Sequence, residues 1–224
     1  PPVESVEFSE INLIHNADGS YVTVVTNPYS ETTSTYFVYY FTTELTVKFK
    51  DGSSASGVDY INHNGVTYTL DYVSEDILQS ADHPWTGLGT HTIRCSIAGF
   101  ETSFDVNIVE SPVEKAVIEP VTLLENIDGD MVNASYDNNS DYYFRYSFSP
   151  QITLTLKDGT VLTGSGSVEY NGRHYTAYCI DNQSYNNPWG VGTHTVECSI
   201  LGYDTSFTAE VVKNSNTVTS VQVD

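Results

Sequence analysis

Two Cys–His pairs are the first residues with chemistry to offer. His91 and Cys95 stand four positions apart, as do His194 and Cys198. A Cys–His nucleophile needs its thiol and imidazole within hydrogen-bond reach. On an extended strand, four residues at ~3.3 Å each span ~13 Å, so neither pair makes a dyad within its own strand. Trp85 and Trp189 come next, each following a proline. An exposed indole offers a flat face to a sugar ring, whereas a buried one caps a core and orders its loop. The capping role is the expectation, with carbohydrate binding through Trp85 and Trp189 as the alternative.

The carboxylates raise two further possibilities. Asp128-Gly129-Asp130, the run from Asp137 to Asp141, and Glu110 with Glu114 carry oxygen donors. Calcium wants six to eight oxygens, and the EF-hand spacing is missing. Glycoside hydrolysis needs two carboxylates in a cleft, one with a raised pKa, and no close acid pair recurs among apolar neighbours. No phosphate-binding glycine loop or hydrolase elbow is present. His91 and His194 have no second ligand at metal spacing. The expectation is therefore no enzyme, no catalytic residue, no metal and no cofactor.

These residues recur because the chain repeats itself. Pro2-Val3-Glu4 returns as Pro112-Val113-Glu114, and Asn16-x-Asp18-Gly19 as Asn126-x-Asp128-Gly129, both at an offset of 110. Lys50-Asp51-Gly52 and Asn64-Gly65 return at an offset of 107, Pro84-Trp85 at 104, and Gly89-Thr90-His91-Thr92 at 103. The offset shrinks in polar, turn-rich stretches, where loops tolerate deletion. The pattern predicts repeat 1 over residues 1–111 and repeat 2 over 112–213. Residues 214–224 read either as a tail or as the truncated first strand of a third repeat, since Thr217–Val223 echoes the start of the first.

Alternation of period two sets the fold class. Leu45-Thr46-Val47-Lys48-Phe49 and Ile152-Thr153-Leu154-Thr155-Leu156 put every second residue on an apolar face, as half-buried strands do. The strands around Cys95 and Cys198 behave likewise, followed by hairpins at Gly99 and Gly202. Some seven short strands per repeat, with turns every 8–12 residues, predict an all-β chain of two tandem β-sandwiches. A helical turn is expected within Val73–Ala81, where the first repeat has extra residues. Cys95 and Cys198 fall on the inward face of equivalent strands and read as small apolar core residues. Cys179 shares the parity of Tyr175 and Ala177 and also points inward, so a Cys179–Cys198 bridge stands open beside three free thiols. The parity of Tyr36, Tyr39, Tyr143 and Tyr146 leaves either an exposed aromatic strip or a covered one.

The order of these blocks carries a resemblance: a strand ending in Lys-Asp-Gly, a Pro-Trp loop, Gly-Thr-His-Thr opening a strand, a hairpin, a final strand and a fresh Pro-Val-Glu. It resembles the bacterial Ig-like modules of the group-3 type, found in tandem in Gram-positive surface and secreted proteins. The resemblance implies two tandem Ig-like β-sandwich domains in an exported, cell-surface protein. It also implies a spacer, presentation or adhesion role beside other domains of the same parent. A host or cell-wall glycan or protein is then the expected outside partner.

Charge narrows the partners. Lys and Arg number 8 against 29 Asp and Glu, a net charge of −21. Such a chain repels phosphate backbones, so nucleic acid is not expected. No apolar run approaches the ~18 residues of a membrane span, so no membrane insertion is expected. The acids divide 15 to 14 between residues 1–111 and 112–224. An even coat of this kind favours solubility and a monomer.

Overall fold

The structure is a computed structural model and describes residues 2–27, 32–133 and 141–215. The chain divides into two compact units, Pro1–Ser111 and Pro112–Asp224. Unit one contains β1 (Val3–Phe8), β2 (Ile11–Ile14), β3 (Gly19–Asn27), β4 (Thr32–Tyr39), β5 (Glu44–Phe49), β6 (Ser54–Val58), β7 (Tyr60–His63), β8 (Val66–Thr69), β9 (Asp71–Tyr72), α1 (Ser74–Ile77), β10 (Gly89–Ile97) and β11 (Phe100–Val109). Unit two contains β12 (Val113–Ile118), β13 (Val121–Leu124), β14 (Gly129–Asn133), β15 (Tyr142–Tyr146), β16 (Gln151–Leu156), β17 (Val161–Ser165), β18 (Ser167–Tyr170), β19 (Arg173–Thr176), β20 (Tyr178–Ile180), β21 (Gly192–Ile200) and β22 (Tyr203–Val212).

Each unit is an all-β sandwich. In unit one a three-stranded sheet, β1-β5-β6, faces a four-stranded sheet, β2-β11-β10-β9. One apolar cluster joins them, with Val3, Leu45, Val47 and Phe49 from the first sheet and Leu13, Ile93, Cys95, Ile97, Phe104, Val106 and Ile108 from the second. The alternation read from the sequence is what allows this, since Val47, Ile93, Ile97 and Val106 have no exposed surface while their strand neighbours face water. Unit two repeats the arrangement as β12-β16-β17 and β13-β22-β21-β20.

The chain's entry strand is split between the sheets. β1 runs antiparallel to β5, and after a short break β2 runs parallel to the final strand β11. β12 and β13 do the same against β16 and β22.

Among the described residues each unit has eleven strands rather than about seven. Two added hairpins, β3–β4 and β7–β8, supply the excess. The β7–β8 turn is Asn64-Gly65, with φ of 50° and 74°, and the β10–β11 turn is Ala98-Gly99, with φ of 51° and 73°. Two central residues at positive φ make the turn whose twist matches a hairpin, and Gly takes that φ without steric cost. The expected helical turn is present as α1 at Ser74–Ile77.

Candidate functional site

In both units the tryptophan and histidine candidates gather in one aromatic stack. Trp85 is 7 % exposed and Trp189 8 %. Around Trp85 stack His91, with centroids 4.5 Å apart and planes 7° apart, Phe41 at 5.9 Å and Tyr39 at 6.5 Å. Around Trp189 the same positions supply His194 at 4.4 Å, Phe148 at 6.1 Å and Tyr146 at 6.3 Å. Burial of this size is worth several kcal/mol per indole. It leaves little of either ring open to a sugar.

The histidines serve the same cluster. Burial pushes the His91 imidazole below its usual pKa, so its neutral form is the one that stacks. His194 donates from Nε2 to the Gly190 carbonyl at 2.8 Å, tying the Trp189 loop to the strand that follows.

A glutamine pins the loop from the other side. Tyr39 N–H donates to Gln79 Oε1 at 2.7 Å, and Gln79 Nε2 donates to the Tyr39 carbonyl at 3.1 Å. Gln183 makes the same pair with Tyr146, at 2.7 and 3.0 Å. One side-chain amide thus replaces a neighbouring strand, satisfying both backbone groups of a buried tyrosine. The sequence did carry a signal for it, since Gln79-Ser80 and Gln183-Ser184 share the offset of 104 with the Pro-Trp pairs. Gln183→Ala is expected to leave two buried backbone groups unpaired, at a cost of about 1–3 kcal/mol each. Urea unfolding of unit two checks it.

Of the two states left open for the cysteines, the bridged one is present. Cys179 and Cys198 are disulfide-bonded, Cys198 lies in the core as its parity requires, and Cys95 is a free, buried thiol. The two bridged residues are directly opposite on β20 and β21, with Cα atoms 4.1 Å apart. In unit one Tyr72 occupies the place of Cys179, opposite Cys95.

Three positions change together at this spot. In unit one Thr43 N–H donates to Asp59 Oδ1 at 2.8 Å, Tyr72 O–H donates to the same oxygen at 3.0 Å, and Thr43 Oγ1 reaches the Tyr72 hydroxyl at 2.9 Å. Burial pushes the Tyr72 phenol up to about 12. Unit two has Pro150, Gly166 and Cys179 at the corresponding positions. Proline has no N–H to satisfy, so the carboxylate is not needed. Gly166 at φ 67° adopts the backbone that Asp59 adopts at φ 58°. A covalent bridge stands where unit one has a polar network.

An ion pair closes the neighbouring edge in unit one. Arg94 donates from Nε and Nη2 to Asp76 at 2.7 and 2.8 Å, and its backbone N–H reaches Asp76 Oδ2 at 2.9 Å. These bonds hold the Asp76 carboxyl down at about 2. The folded-state pKa is depressed, so this contribution is complete above the ordinary carboxylate value and is lost as pH falls from about 4 toward 2. Asp76→Asn is expected to flatten that part of the acid-unfolding profile of unit one, as followed by circular dichroism.

The remaining candidates are structural or exposed. Asp128 Oδ2 accepts the Leu124 N–H at 2.7 Å, as Asp18 accepts that of Ile14 at 2.7 Å, so both acids cap equivalent turns. Glu110, Glu114, Asp130 and Asp141 face solvent, while residues 137–140 lie outside the described residues. Among the described residues no three His, Cys, Asp or Glu side chains gather as a metal site. Tyr39 and Tyr146 are buried, at 2 % and 3 % exposure, and Tyr36 and Tyr143 are half-buried. The echo at Thr217–Val223 also lies outside the described residues.

No family model matches the chain, and no curated protein matches it. Among solved structures, the crystal structure of the S-layer protein SbsC domains 4 and 5 is similar at 13 % identity, covering 95 % of this chain and 100 % of that chain, with a TM-score of 0.28. That score is too low to establish a shared arrangement of the whole chain.

Proposed function

We propose that the chain is a non-enzymatic, load-bearing pair of modules, acting as a spacer or presentation unit within an exported multidomain protein at a bacterial cell surface. The observation that carries this reading is the pairing of the end strands. β2 and β11 are parallel neighbours over four residue pairs from Val106↔Ile11 to Val109↔Ile14, and β13 and β22 repeat this from Val121↔Ala209 to Leu124↔Val212. Tension applied at the two ends of a module shears such a ladder, loading its hydrogen bonds together instead of opening them one by one. Each bond adds about 0.5–1.5 kcal/mol net, so simultaneous loading resists far better than sequential opening.

Two further facts support it. The side chains best suited to chemistry are spent on internal packing in both modules. A disulfide also fits an oxidising, extracellular setting. The carbohydrate-binding alternative would need an indole face that solvent reaches. The test is tryptophan fluorescence titration of the whole chain with soluble cell-wall and plant polysaccharides. No saturable change is expected. Saturable binding would replace the spacer reading with the carbohydrate one.

A further inference from the structure

The two modules close the same sheet edge by different means. β9 and β20 each end their four-stranded sheet. In module one the chain leaves β9 and turns into α1. Val73 N–H donates to the Arg94 carbonyl at 2.9 Å, and Asp76 receives the Arg94 N–H at 2.9 Å. The backbone groups of β10 at that edge are thereby satisfied from outside the sheet.

Among its described residues module two has no such helix, and Glu197 stands where module one has Arg94. Its edge is β20, only three residues long, in the register Tyr178↔Ser199, Cys179↔Cys198 and Ile180↔Glu197. Tyr178 and Ile180 are 43 % and 47 % exposed. A strand this short adds few ladder bonds, and its exposed side chains bury little. The Arg145–Asp181 ion pair, at 3.2 Å, anchors the residue that follows it, and the covalent bond ties its middle residue to β21.

Access to that bond is one-sided. Cys179 is half-buried and lines an open groove of about 370 Å³ together with Phe148, Gly166, Ala177 and Asp181. Cys198 is 5 % exposed, within the core. An external thiol therefore meets Cys179 first.

We propose that the Cys179–Cys198 bond is a thiol-addressable clasp on module two, whose reduction frees β20 and opens the edge of β21 at Glu197–Ser199, while module one stays shut. The chemistry is thiol–disulfide exchange with a low-molecular-weight thiol. Its thiolate attacks Cys179 Sγ and forms a mixed disulfide, and Cys198 Sγ leaves with the bonding pair and takes up a proton. A second thiolate attacks the outer sulfur of the mixed disulfide, releasing the oxidised reagent and the Cys179 thiol. In sum, two external thiols are oxidised to one disulfide, and the protein bridge is reduced to two thiols.

The experiment is amide hydrogen exchange of the whole chain, with and without dithiothreitol, read by mass spectrometry. Exchange of peptides covering 178–181 and 197–199 is expected to rise at least tenfold on reduction, with β9, α1 and β10 unchanged. Cys179→Ala is expected to show the faster pattern without reductant. Three results would overturn the proposal: unchanged exchange at β20 and β21, a bridge that dithiothreitol opens only in denaturant, or a rise at 178–181 and 197–199 no larger than that in the rest of module two, which would make the bond a global staple instead of an edge clasp.

Discussion

Replacing Trp189 by alanine is expected to destabilise module two by about 3–5 kcal/mol, the usual cost of truncating a large aromatic residue in a core. A domain of this size holds about 5–15 kcal/mol in all, so much of its stability goes with one side chain. The reason is the stack. Trp189 is 8 % exposed and has His194, Phe148 and Tyr146 around it. Urea unfolding by circular dichroism should then show two separated transitions, with Trp85 fluorescence reporting an unchanged module one. Trp85→Ala should reverse the assignment. A loss under 1 kcal/mol would mean that the indole is peripheral, and would reopen the case for a binding face.

Reduction of the bridge is expected to have the second-largest effect. Cys179 and Cys198 are separated by 19 residues in the sequence, and closing a loop of about that length is worth about 3 kcal/mol in the chain-entropy model. That is roughly a hundredfold in the folding equilibrium of module two. Module one should not respond. Its Cys95 is a free thiol that burial pushes up to about 11, and its edge is held by the Arg94–Asp76 pair instead. Thermal unfolding with and without reductant reads both modules in one sample. Equal shifts in the two transitions would show that the modules are coupled.

What the sequence made legible was what depends on near neighbours. The alternation through Leu45-Val47-Phe49 and Ile152-Leu154-Leu156 is a local property, and it sufficed to place the core faces of β5 and β16. The offsets from 110 to 103 marked the two units by simple matching. Asn64-Gly65 and Asn171-Gly172 served as repeat markers, yet the same dipeptides specify the turns of β7–β8 and β18–β19, which raised the strand count above expectation. The split of the entry strand was not legible, because its second half pairs with a strand nearly a hundred residues away.

The site followed the same division. Burial of Trp85 and Trp189 was the expected role, but their partners were not named, since Phe41, His91 and Tyr39 reach the indole from separate parts of the chain. The glutamine pins left only their recurrence at the offset of the Pro-Trp pairs, because an amide that replaces a strand adds nothing to the strand alternation. The bridge stayed open because parity places two sulfurs on one face without fixing their register. β20 and β21 supply that register, with Cys179 directly opposite Cys198. The exchange of Thr43, Asp59 and Tyr72 for Pro150, Gly166 and Cys179 makes sense only once the three positions are seen together in space.

The central claim is that these are two separately folding modules whose parallel end strands bear load. Stretching the whole chain by single-molecule force spectroscopy tests it most directly. Two unfolding events are expected, each at a clear force peak. With the bridge closed, one event should be shorter by the sequence separation of 19 that the bridge spans, or about 65 Å of extended chain. With reductant that difference should disappear. A single cooperative event, or extension with no force peak, would contradict the account.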